Sequence, residues 1–252
     1  VSTKLPLLYK DPVALNSKTH LDLKLGAFKD YGFSAKTNSI QLVGIEFIEA
    51  SKEYPIVFIK LANGSFVPST LNGLKDEQNL YLNSDNEWNA QYIPSYVRRY
   101  PFIISEPLAK GEQVVFIDQG SDRVQKKLGD ALFNKDGTET AILDSVKSFL
   151  LQHYAHSRLT DEFCQWLAKE DLFTEMTAKF EIEKSGETFL FNHLFIINEA
   201  KLIELPAEKV MELFNKGWLS WVYAHLISLT NFSRLVDRYS KIAQAKKEVI
   251  SV

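Results

Sequence analysis

Three constellations in this chain hold residue types that can do chemistry. His153 and His156, in "HYAH", stand three apart, a spacing that puts two imidazoles on one helix face and makes them a candidate metal pair. His225 and Ser228 repeat that spacing with a base and a hydroxyl, the first two members of an acyl-transfer set. Arg98 and Arg99 stand side by side in "YIPSYVRRYPF" (92–102), among Tyr92, Tyr96 and Tyr100. Guanidinium groups recognise carboxylates and phosphates through planar pairs of hydrogen bonds, and they stack on aromatic rings.

The histidine pair lacks a third ligand. No "HEXXH" and no cysteine cluster is present, and His20, His193 and His225 are isolated in sequence. The expectation is one core-facing and one half-exposed histidine. Ser228 falls within an apolar helical pattern that Trp221 and Phe232 continue. A nucleophilic serine needs an exposed, strained position and an oxyanion hole, so helix packing with internal hydrogen bonds is the expected use. Cys164 in "DEFCQWLAKE" is the sole cysteine. With no base nearby and apolar neighbours, it reads as a buried small hydrophobe. Neither G-x-G-x-x-G nor G-x-x-x-x-G-K-[ST] occurs, and Glu181 and Glu183 alternate as on a solvated strand face. No catalytic residue, metal site or cofactor is therefore nominated.

The arginines are bounded by prolines. Pro94 suits the first position of a helical turn and Pro101 disfavours the α region at Tyr100, so a turn over about 94–99 is expected. Adjacent side chains diverge by about 100° in such a turn, and they point to opposite faces of a strand. Arg98 and Arg99 cannot share one environment. One packs on Tyr96 or Tyr100 and binds internal acceptors; its neighbour meets solvent, an anionic ligand or a partner's carboxylate. Arg98, Arg99, Tyr92, Tyr96 and Tyr100 are the candidate ligand- or partner-binding residues.

The elements that must hold these residues divide by composition. Runs rich in Val, Ile, Phe and Tyr at 39–48, 54–62, 79–83, 101–105 and 113–118 predict strands, and their short connections argue for antiparallel pairing or a partial barrel. After the polar stretch 118–140, apolar residues at Ile142, Val146, Phe149, Leu150 and His153 predict a helix, and a second is expected over 159–171. A Ser-Gly turn (Ser185, Gly186) in "TAKFEIEKSGETFLFNHLFII" predicts a hairpin. Pro206, Glu208 and Gly217 bracket a helix. A last helix is expected from Trp218 to Tyr239, its start buried, with Leu235, Val236 and Tyr239 left to the β layer or to another molecule, including a second copy in a homodimer. The fold class is α+β: a β-rich region over 1–120 and a mainly helical region with a hairpin over 121–252, packed as one unit. No internal repeat is visible.

Bulk properties narrow the partners. Of 252 residues 45% are hydrophobic, enough for a sizeable core, and the formal charge of -3 gives no global field for nucleic acid or anionic lipid. No stretch nears the ~20 apolar residues a membrane span needs, and "VSTKLPLLYKDPVAL" lacks a signal-peptide apolar run. The chain starts at Val1 without a methionine, which leaves upstream trimming open. A soluble, cytoplasmic protein without membrane insertion is expected, and one unpaired cysteine suits a reducing compartment.

"LPLLYKDPVALNSKTHLDLKL", "EFIEASKEYPIVF", "YIPSYVRRYPF", "FIDQGSDRV" and "LPAEKVMELFNKGWLSWVYAHLISLTNFSRL" together resemble the SapC family of bacterial proteins, over nearly the whole chain and most sharply from Tyr92 to Phe102. The resemblance implies an association with a bacterial surface layer and with genes near outer-membrane receptors and flavin-dependent halogenase-like enzymes. It brings no established reaction and no catalytic position. The expected function is a non-catalytic binding or accessory protein acting with a cell-surface or envelope system. Two alternatives stand beside it: an enzyme or enzyme subunit in peptide modification with a flavin-dependent partner, and a small-molecule binding module.

Overall fold

The computed structural model describes residues 5–108, 111–182 and 186–250. Glu183 and Ser185, named above, lie outside the described residues. Eleven strands and eight α-helices are found among the described residues. The strands are β1 (Pro12–Ala14), β2 (Lys24–Leu25), β3 (Ser39–Gln41), β4 (Ile56–Lys60), β5 (Phe66–Leu71), β6 (Phe102–Ile104), β7 (Val115–Asp118), β8 (Val124–Gln125), β9 (Asp130–Ala131), β10 (Phe173–Ile182) and β11 (Glu187–Ile197). The helices are α1 (Ser17–His20), α2 (Phe47–Ala50), α3 (Ser95–Arg98), α4 (Ala141–Lys169), α5 (Glu199–Ile203), α6 (Ala207–Asn215), α7 (Trp218–Ser228) and α8 (Asn231–Ile250). Strands lie mostly in the first half, helices mostly in the second, and all strand pairs are antiparallel: the fold is α+β.

The chain gathers into two compact units. The first runs to Phe33 and resumes over Ser95–Ala155; the second holds Ser34–Pro94 and the chain from His156 onward. The polar stretch 118–140 lies inside the first unit, and α4 gives its first half to one unit and its second half to the other. In the first unit β7 is central in the sheet β1-β7-β6, and β2 is central in β8-β2-β9. Leu23, Phe102, Ile117, Leu132, Leu143 and Leu150 form its core. The second unit carries the five-stranded sheet β10-β11-β4-β5-β3, over a core that includes Phe47, Phe58, Phe163, Trp218 and Leu235.

Several sequence expectations need correction. The strand expected over 39–48 ends at Gln41, and 44–50 is helical. The Glu46 carboxylate accepts from Val43 N at 3.0 Å, the Gly44 N–H donates to Thr160 Oγ1 at 2.7 Å, and the Trp221 ring occupies the space a Cβ on Gly44 would need. The run 79–83 is loop with a single bridge between Leu82 and Trp88, because the Asn79 side chain captures the Tyr81 N–H. The helices expected at 142–153 and 159–171 are one, α4. The final helix instead breaks after Ser228. Leu229, Thr230 and Phe232 N–H groups bond three residues back, and the Asn231 side chain donates to the Ser51 and Tyr54 carbonyls. Pro68 hid β5 from a strand search, yet it sits beyond the last residue of β3 paired to that strand.

Other expectations hold. β10 and β11 pair as a hairpin, longer than the sequence suggested. Pro206 caps α6, Glu208 lies in its first turn, and Gly217 follows its end with φ of 71°. Of the residues left to the β layer or to another molecule, Leu235 and Tyr239 are instead buried within their own chain, Tyr239 edge-on to Phe189 of β11 at 4.9 Å, which takes them from the expected partner surface. No helix among the described residues is long and apolar enough to cross a membrane.

Candidate functional site

The arginine motif is built on α3, a single helical turn after Pro94. The Arg99 N–H closes it on the Ser95 carbonyl at 2.9 Å, the Tyr100–Pro101 peptide is cis, and the Phe102 N–H returns to the Arg99 carbonyl at 2.8 Å. Three side chains of the turn point inward. Ser95 Oγ shares a buried hydrogen bond of 2.9 Å with His153 Nδ1. The Tyr96 hydroxyl donates to the Leu7 carbonyl at 3.2 Å, and Val97 is buried. Tyr100 follows, stacked on Phe33 at 4.2 Å and edge-on to Tyr9 at 5.4 Å.

Beneath this turn lies a buried carboxylate that sequence reasoning did not single out. Asp118, at the end of β7, has no accessible surface. It accepts from Asp11 N at 2.6 Å, Lys10 N at 3.1 Å, Gly120 N at 3.3 Å and the Tyr100 hydroxyl at 2.9 Å. Backbone donors thus satisfy the charge in place of a cation. Burial raises the Tyr100 phenol to about 12, against an opposing hydrogen bond from Ser121 and with Asp118 adding to the rise. Burial likewise pushes the Tyr9 phenol well above its usual range, opposed chiefly by the Arg99 charge, and the Tyr9 hydroxyl donates to the Phe102 carbonyl. "LLYKD", "YVRRYPF" and "FIDQG" therefore meet in the first unit around one carboxylate.

The two arginines part as their adjacency requires. Arg99 is half-buried, its guanidinium over the Tyr96 ring at 4.0 Å, and its Nε finds no hydrogen-bond partner. Arg98 is exposed, 5.3 Å from the Phe149 ring centre. Around it lies a row of rings: Phe28 meets Tyr31 at 4.6 Å, Tyr31 meets Phe33 at 6.2 Å, and Phe33 stacks on Tyr100. Burial raises the Tyr31 phenol, and the charges of Arg98 and then Arg123 oppose that rise. Arg123 donates to the Gly26 carbonyl and lies 5.4 Å from the centre of Phe28, which is 45% exposed. Phe28, Tyr31 and Arg123 were missed by sequence reasoning, since none of them marks itself by spacing.

Tyr92 falls in the second unit, apart from the other four candidates. Its hydroxyl donates to Glu46 at 2.5 Å, its N–H donates to Glu53 at 3.0 Å, and its carbonyl accepts from the Tyr54 hydroxyl. It fastens Glu46, and through it the turn at 43–46, to the core.

The remaining candidates are tied into the interior. His153 is buried and His156 half-buried; among the described residues no group of three His, Cys, Asp or Glu could hold a metal. Burial pushes the Cys164 thiol far above its usual range. Ser228 Oγ accepts from Ile56 N at 3.0 Å and donates to the His225 carbonyl, while His225 Nε2 accepts from Ile197 N at 3.1 Å. The pair fastens α7 to β4 and β11.

No curated protein and no solved structure matches the chain. A family model does, and its match takes in the arginine turn, the Asp118 carboxylate and α7 alike: over residues 15–235 the sequence fits the model described as SapC, and the chain belongs to the SapC family.

Proposed function

We propose that the protein is a non-catalytic binding protein of the cytoplasm that acts with a bacterial cell-surface or envelope system, docking a protein partner on the Arg98 face of its first unit. The observation that carries this reading is the contrast between neighbours. Ser95, Tyr96, Val97 and Tyr100 are buried, so α3 is anchored, while Arg98 is left exposed on it over the Phe149 ring, in a unit that also exposes Phe28 under Arg123. Arginine and aromatic residues held in fixed positions are the side chains protein interfaces favour. A small-molecule site would call for Arg98 or Arg99 in a deep cavity. The two cavities that stand out among the described residues, of about 1290 and 350 Å³, are lined by neither. The lone, unpaired Cys164 suits a reducing compartment.

Affinity capture from native cell extract tests the proposal, with Arg98→Glu and a control charge reversal, Lys169→Glu, beside the unaltered protein. An envelope-system protein retained by the unaltered and Lys169→Glu proteins but lost with Arg98→Glu is the expected result. A partner set that Arg98→Glu does not change would overturn it. Loss of a flavin-dependent enzyme, rather than an envelope protein, would replace the partner class and keep the surface.

A further inference from the structure

The larger cavity lies wholly in the second unit, between the loop 75–89 and α8. Its volume of about 1290 Å³ exceeds the roughly 300–1,000 Å³ of a typical small-molecule pocket. One wall is a cationic helix face: Arg234, Arg238 and Lys241 follow at intervals of four and three residues, or about 6 and 4.5 Å along the axis. Arg238 is held in place by the buried Tyr81 ring, 4.3 Å from its guanidinium carbon. Leu82 and Ile242 supply apolar surface, and the exposed carboxamides of Asn86 and Asn89 face the cleft from the loop.

Charge and shape together narrow the occupant. Of the other charged lining residues, Lys75 pairs with Glu187, Glu77 pairs with Lys36, and Arg234 donates to the Lys52 carbonyl at 2.6 Å, which leaves Arg238 and Lys241 to an occupant, beside Asp76 and Asp237. Those two carboxylates would repel a uniform polyanion, yet they can accept backbone N–H groups. Among the described residues no aromatic side chain lines the cleft, so a nucleic-acid base would find no stacking surface there. An extended peptide meets each feature. Its same-face side chains repeat every ~6.7 Å, near the axial step from Arg234 to Arg238. Its amide groups match the asparagine carboxamides and the two aspartates, and its alternate face matches Leu82 and Ile242.

We infer that this cleft binds an extended acidic peptide segment, carboxylates toward Arg238 and Lys241 and apolar side chains toward Leu82 and Ile242. The site stands independently of the Arg98 face. The probe is a fluorescein-labelled, end-blocked twelve-residue peptide of alternating Glu and Val, followed by fluorescence anisotropy, with a Gln-Val peptide as control. Saturable binding is expected for Glu-Val only, weaker at 300 than at 50 mM salt. It should fall about fivefold or more in Lys241→Glu and about tenfold or more in the Arg238→Glu, Lys241→Glu double variant. Lys241 is exposed, so its single variant keeps the test decisive should replacing Arg238 disturb folding. No saturable binding by the folded protein, or equal binding by Lys241→Glu, would overturn the inference. So would binding of an oligogalacturonate through the same residues when the peptide does not bind.

Discussion

His225 makes the stability of this protein depend on pH in a way that can be isolated. The imidazole has no accessible surface and its ring lies 5.0 Å from that of Phe58. Because Nε2 accepts from Ile197 N, the proton of the neutral ring sits on Nδ1, which finds no partner. Burial pushes the pKa down to about 3 from 6.5, with the Ile56 backbone opposing. A proton that the unfolded chain takes up near 6.5 is thus refused by the folded one down to about 3. The stability this confers is present in full above 6.5 and is lost as pH falls from 6.5 toward 3. At 1.36 kcal/mol per pKa unit the whole span is worth about 5 kcal/mol, of which about 2 is lost between pH 7 and 5 and about 3 between pH 7 and 4.

Carboxylates also titrate over that range, so the effect must be read as a difference. His225→Gln keeps an acceptor near the position of Nε2 and removes the titration. Urea unfolding of both proteins at pH 7, 6, 5 and 4 should give curves that converge on acidification, the unaltered protein losing about 2 kcal/mol more than the variant by pH 5. Parallel pH profiles would refute the reasoning, for they would mean that His225 takes up its proton in the folded chain as readily as in the unfolded one.

Three further outcomes follow from the geometry. Arg99→Ala should lower stability by about 1–2 kcal/mol through loss of the stacked guanidinium on Tyr96, whereas Arg98→Ala should stay within about 0.5 kcal/mol; equal melting of the two would remove the distinction between them. Tyr100→Phe takes one donor from buried Asp118 and should cost about 1–2 kcal/mol, while Asp118→Ala strands that hydroxyl and three backbone N–H groups and should cost about 3–5 kcal/mol by denaturant titration. Gly44→Ala would set a methyl group 2.3 Å from carbons of the Trp221 ring, so about 1–3 kcal/mol should be lost where alanine in a helical turn ordinarily helps.

What the sequence disclosed and what it hid follow one physical division. α6 was legible because Pro206, Glu208 and Gly217 act within a few residues of the backbone they shape, and the hairpin was legible because ten-residue strands carry their own pattern. The turn at 44–50 was hidden because the groups that enforce it, Thr160 and Trp221, lie more than a hundred residues away. Likewise the helices expected over 142–153 and 159–171 are one, because nothing in the residues between them breaks a helix. At the arginine turn, adjacency alone required that Arg98 and Arg99 differ. Which of them faces out depends on Tyr9 and Phe149, neither of them a local neighbour. The same holds for Asp118: its sequence surroundings, "FIDQG", mark a strand end, but its role comes from Lys10, Asp11 and Tyr100. A buried carboxylate held by amides over a hundred residues distant in the chain binds the amino-terminal segment to the arginine turn, and so the orientation of Arg98 rests on residues that no local reading of 92–102 could contain.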